Sequence, residues 1–178
     1  MTTPAFLQSL TLENVAVAVV LGLLLSASCG LRAFLAPFAL SFGMWMGWVS
    51  VGDSFAWMGH GAVVATFGIA IVLEVIADKF PTVDHAFDAL HLVLKPLLGT
   101  LAGAALLQGP EVSPLFACVI GLCTTGALAG AAHVTKAGVR LGSTATTVGT
   151  GNPVLSVIED IIAVALAAGL TWLAGVAL

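Results

Sequence analysis

Charge is what this sequence has least of. Only 8% of the 178 residues are Asp, Glu, Lys or Arg, against about 25% in ordinary soluble domains. A water-facing fold of this length could not cover its surface with so few charges. With 60% of the chain hydrophobic, the bilayer is the solvent the composition asks for. The five Lys and Arg residues form no basic stripe, which excludes nucleic acid as a partner. The net charge of −4 is too small to select a strongly acidic or basic partner. Cys29, Cys118 and Cys123 make no C-x-x-C pair, so neither a disulfide framework nor a thiolate metal site is expected of them. The motifs G-x-S-x-G and H-E-x-x-H are absent, and enzymatic chemistry is not the expectation. The opening MTTPAFLQSLTLEN has no basic segment of the signal-peptide kind, so insertion is expected to rely on the first span.

What remains is a set of long uncharged runs punctuated by single charges. Asn14–Leu31, Ala33–Gly52, Ser54–Leu73, Leu97–Pro110, Val112–His133 and Ile161–Leu178 are the candidate spans, at roughly 17–25 residues needed for each. Leu97–Pro110 is short and must borrow from the residues before it, with Lys95 snorkelling to the interface. The fold class expected is an all-α integral membrane protein. It is one transmembrane domain over residues 1–178, a bundle of about six transmembrane helices, some broken or re-entrant. Two stretches are suspect as plain spans: the tight turn SASCGLRAF and the Gly- and Thr-rich GALAGAAHVTKAGVRLGSTATTVGTGNP. VLGLLLSA (Val20–Ala27) echoes VIGLCTTG (Val119–Gly126), and EVIA (Glu74–Ala77) echoes DIIA (Asp160–Ala163). These echoes suggest an internal, inverted repeat of halves 12–80 and 90–178, as in many transporters.

Under the six-span reading, Arg32, Lys79, Lys95, Lys136 and Arg140 all fall in alternate loops. The positive-inside rule then places those loops in the cytoplasm and both termini outside. Trp45, Trp48 and Trp57 mark the outer interface, with His60 beside them.

Polar residues concentrate in three places. In LEVIADKFPTVDHAFDALHLVLKP, Asp84, Asp88 and His91 recur at i, i+4 and i+7 after a break at Pro81. One helical face with two carboxylates and an imidazole could hold a divalent cation, the single cofactor the sequence suggests. A solvated loop helix is the plainer reading of this face, and a partner-binding surface is a third. Glu74, Glu159 and Asp160 lie at the ends of apolar runs, where a lone carboxylate is costly. They either pair with Arg32, Lys136 and Arg140, or line a wet vestibule that binds a cation or proton. His133, Lys136 and Arg140 share one helical face, followed by a Gly/Ser/Thr run whose exposed backbone N–H groups could cradle an anion; a flexible loop before Pro153 is the plainer reading.

The blocks SASCGLRAFLAPFAL, LEVIADKFPTVDHAFDALHLVLKPLLG, HVTKAGVRLGST and GNPVLSVIEDIIA, in this order and spacing, resemble a family of small bacterial integral membrane proteins known only as a domain of unknown function. The resemblance spans about Ala16 to Ala168. It implies a bacterial membrane protein, hence the cytoplasmic (inner) membrane, and supplies no substrate or catalytic residue. The function expected is a small secondary transporter or channel for an ion or small polar solute. A non-transporting component that binds a lipid headgroup or partner protein is the alternative, and an intramembrane enzyme acting on a lipid phosphate is third. The lipid bilayer, a bound lipid or ion, and a second copy of the chain are the expected partners.

Overall fold

The computed structural model describes residues 12–77, 81–108 and 112–177. Among these residues every regular element is helical: α1 (Leu12–Leu31), α2 (Leu35–Trp45), α3 (Gly61–Ala77), α4 (Pro81–Leu107), α5 (Pro114–Gly121), α6 (Ala127–Thr147) and α7 (Asn152–Ala177). A 3₁₀ segment, Asp53–Gly59, leads into α3, and a π turn, Leu122–Gly126, joins α5 to α6. Three stretches are long and apolar enough to cross a membrane: Ala89–Leu107, Pro114–Thr147 and Asn152–Gly169. The 3₁₀ segment and α3, bent by 65° at their junction, would make a fourth.

The chain shuttles between two ends. α1 packs against α7, α6 and α4, and its buried stripe of Leu21, Leu25, Ser28 and Cys29 recurs at helical spacing. Gly22 of α1 lies beside Thr125 and Gly30 beside Ala132, so α1 and α6 run the same way. Arg32 of α1 meets Asp160 of α7, and Gly169 lies near Leu24, so those two helices are antiparallel. α4 runs against α5 and α6, with Gly99 beside Ala129 and Gly121 beside Ala104. One end collects Trp45, Trp48 and Trp57, all exposed. The other collects the buried charges, while Asp53 stays at the tryptophan end.

Several expectations change here. The second predicted span, Ala33–Gly52, holds only the 11-residue helix α2, about 16 Å long and too short for a membrane core of about 30 Å. The fifth does not stop at His133: α5, the π turn and α6 continue as 34 residues to Thr147. Lys136 and Arg140 therefore sit in a helix, not in a loop. The same holds for Lys95, which lies inside the unbroken α4. The Gly/Ser/Thr run is helix as far as Thr147, and Val148–Gly151 is a turn before α7. Its hydroxyls turn back on the helix, with Thr144 donating to the Arg140 carbonyl (2.9 Å) and Thr147 to that of Ser143 (2.7 Å). A helical backbone spends its N–H groups internally, so Ser143–Thr147 offers no anion cradle. The break falls earlier instead, at the π turn, where Thr125 donates to the carbonyls of Gly99 (2.8 Å) and Gly121 (3.0 Å).

Small residues set how closely these helices approach. A Cβ on Gly126 would lie 2.8 Å from the Pro96 carbonyl oxygen, a backbone atom that cannot swing aside. A Cβ on Gly142 would meet nothing within 4 Å. Gly126→Ala is therefore expected to destabilise the bundle by about 1–3 kcal/mol. Gly142→Ala should be neutral or stabilising by up to about 1 kcal/mol through helix propensity. Thermal unfolding of both variants in detergent checks the contrast.

Candidate functional site

Five helices bring their rare polar side chains to one place. From α1 come Ser28, Cys29 and, just past its end, Arg32. α3 contributes Glu74, α4 His91 and Lys95, α6 His133, Lys136 and Arg140, and α7 Ser156, Glu159 and Asp160. Glu74, Arg32 and Lys95 are each no more than 2% exposed, and His91, His133, Lys136 and Glu159 are also buried. Helix rise gives the depth. Gly61, at the start of α3, lies beside Trp45, and Glu74 is about 20 Å further along that helix. Gln108 bonds Ser54 near the same end, and Lys95 is about 20 Å back along α4. Both charges thus lie at a depth that a membrane core of about 30 Å would enclose.

The pairing is specific. Asp160 accepts from the Arg32 guanidinium, which also reaches Ser156 Oγ at 3.4 Å. Glu159 Oε2 receives both Lys136 Nζ (3.2 Å) and Arg140 Nη2 (2.9 Å). Lys136 Nζ also donates to the Leu31 carbonyl at 3.1 Å, closing off the C-terminus of α1. These are the cations the sequence suggested for the two α7 carboxylates. Glu74 is held differently. Its Oε1 accepts the Ala33 N–H at 2.9 Å and its Oε2 the Phe34 N–H at 3.5 Å. Both amides belong to the tight α1–α2 turn, and His91 Nε2 lies 3.6 Å from Oε1. Lys95 Nζ lies 3.0 Å from His133 Nδ1, and the His133 ring meets the His91 ring edge to face at 6.3 Å between centroids.

Lys95 is the residue that sequence reasoning misplaced. It does not snorkel to the interface: its Nζ is buried, 3.0 Å from Nδ1 of a histidine on α6. The available signal was its place four residues after His91, one helical turn on, in the apolar run HLVLKPLL. Only His91 of the proposed stripe Asp84, Asp88 and His91 can be placed by its side chain. The side chains of Asp84 and Asp88 lie outside the described residues, while His91 faces Glu74. No group of three or more His, Cys, Asp or Glu able to hold a metal occurs among the described residues. At the other end, exposed His60 bonds the Trp57 carbonyl at 2.8 Å and stands apart from the charged centre.

Glu159 tests how tightly the centre is closed. Glu159→Gln would leave two cations facing a neutral amide. It is expected to cost about 3–5 kcal/mol, as loss of one partner from a buried ion pair does. Chemical unfolding in mixed micelles measures this, and an unchanged midpoint would mean the three groups are hydrated.

No curated protein and no solved structure matches the chain. A family model does, over residues 19–178. That range takes in every charged group of the buried centre, and the chain belongs to the family described as Domain of unknown function (DUF4126).

Proposed function

We propose that the protein is a small secondary transporter or channel for an ion or small polar solute, with the buried charged centre as its site. The observation that carries this reading is the contrast between Glu74 and the other two carboxylates. Glu159 and Asp160 are each matched by a Lys or Arg. Glu74, the most buried of the three, is held by two backbone amides and a histidine. Pairing that only glued helices together would use a cation there. Ionisable groups at membrane depth cost a few kcal/mol and mark ion paths or relays more than scaffolds. Backbone amides orient the Glu74 carboxylate, Lys95, Arg32 and Lys136 act on its charge through space, and a visiting cation would compete with them for it.

The finer architecture follows from the same reading. On this reading α2, though shorter than a membrane core, still carries the chain from the charged end to Trp45, so the chain makes six passes, with the charged end facing the cytoplasm and both termini on the tryptophan side. Halves 12–80 and 90–178 are then inverted copies, and Glu74 and Asp160, the matching residues of EVIA and DIIA, enter the centre from opposite sequence directions. The orientation no longer rests on loop charges, since Lys95, Lys136 and Arg140 are inside helices. It rests on their all lying toward one end, away from the exposed tryptophans.

Glu74→Gln keeps an acceptor for the Ala33 N–H and removes the charge. The variant is expected to fold and to lose the ion flux that the wild type supports in liposomes. A folded variant with unchanged flux, or a wild type silent across a broad ion panel, would favour the lipid- or partner-binding reading. Separately, a reporter fused after Leu178 should be active only on the outer side. Cytoplasmic activity would overturn the six-pass arrangement.

A further inference from the structure

The transport reading leaves open which ion the centre handles, and the contact between Lys95 and His133 bears on that choice. An N···N distance of 3.0 Å is a hydrogen bond with a single proton in it. Lys95, as an ammonium, has three donors and no acceptor. With Lys95 charged, His133 Nδ1 supplies the lone pair, and the ring is neutral with its own proton on Nε2. An imidazolium has no lone pair to offer. One proton added to His133 Nδ1 thus removes the acceptor and places two cations side by side.

We propose that the coupling ion is a proton, taken up at His133 Nδ1, and that its arrival breaks the Lys95–His133 bond and loosens α4 from α6. The step balances simply. One proton from water bonds to Nδ1, Lys95 keeps its three N–H bonds, and the charge of the centre rises by one. Release to water on the other side restores the bond.

The surroundings of the pair fit this role. The His91 ring lies edge to face against His133 and within 3.6 Å of the Glu74 carboxylate. His91 and Glu74 are then next in line to receive the proton. Glu74 also faces Lys95, Arg32 and Lys136 through space, and Cys29 faces both Glu74 and Lys95. Glu159 and Asp160 of α7 pair with Lys136, Arg140 and Arg32. Among these groups only the two imidazoles have ordinary pKa values near physiological pH. The hinge is local. Gly99 and Pro96 of α4 lie against Ala129, Gly126 and Gly130 on the opposing helix, with no large side chains between the backbones. A shift of one helix against the other there moves no bulky group but must carry or break the Thr125–Gly99 bond.

The inference rests on the transport reading, and the two can fail separately. Nitrogen NMR of the wild-type protein, labelled at histidine and held in lipid nanodiscs, is recorded across neutral and acidic pH. The expected result is one ring with bare Nδ1 and protonated Nε2 at high pH, gaining a proton as pH falls. Its identity is fixed by its absence in His133→Gln. Amide exchange in α4 and α6 should speed up over the same pH interval. In liposomes, an imposed pH gradient should drive flux that His133→Gln loses. A His133 ring carrying its proton on Nδ1, or a titration with no change in α4–α6 exchange, overturns the proton switch. Flux of another ion that ignores the pH gradient overturns it too, while leaving transport standing. A switch seen by NMR with no flux of any kind would keep His133 as a proton site and remove the transport reading instead.

Discussion

Two neighbouring carboxylates, Glu159 and Asp160, hold three helices at fixed spacing. Successive residues on a helix point about 100° apart. Adjacent side chains near the start of α7 therefore reach two different neighbours, Asp160 the Arg32 guanidinium past α1 and Glu159 the Lys136 and Arg140 heads on α6. The bilayer provides no hydrophobic force to press helices together. Ion pairs and close backbone contact must do that work, and the pairs are worth most where water is excluded. The position of every other group in the centre depends on this triangle. With α1 pinned between α6 and α7, the turn at Ala33–Phe34 is held where its amides meet Glu74.

Small side chains supply the close contact. Gly30, Gly99, Gly121 and Gly126 each face another helix's backbone or an alanine, as interfaces within membranes favour. The π turn at Leu122–Gly126 adds one residue to a helical turn and so rotates everything after it. His133, Lys136 and Arg140 follow that turn. Its geometry helps decide that this face of α6, and not another, looks inward. Thr125 spans the junction by bonding both its own helix and α4.

The polar network is also economical in its chemistry. Side chains at the centre range from a fixed guanidinium to imidazoles that change charge near neutral pH. The Arg–carboxylate pairs serve as anchors. The softer groups, Lys95, His133, His91 and Glu74, form a connected line between α6 and α3 through α4.

Much of this was written in the chain. The membrane character, the helical class and the gathering of charge at one end follow from composition and from the spacing of rare charges, since each long uncharged run permits only one solvent. The shared face of His133, Lys136 and Arg140 follows from helical periodicity alone. So does the helix that begins at Pro81. Tertiary structure decided what periodicity could not. Whether Lys95 reaches for the interface or for a partner depends on a histidine 38 residues away. That Glu74 takes backbone amides, while Glu159 takes two cations, depends on where the α1–α2 turn lands. The length of α2 and the continuation of α6 through its threonines were also settled there. Local propensity permits a helix or a loop in such a run, and packing against α1 and α4 selects the helix. Charge spacing fixes which residues must find a partner; only the packed bundle determines which partner each one finds.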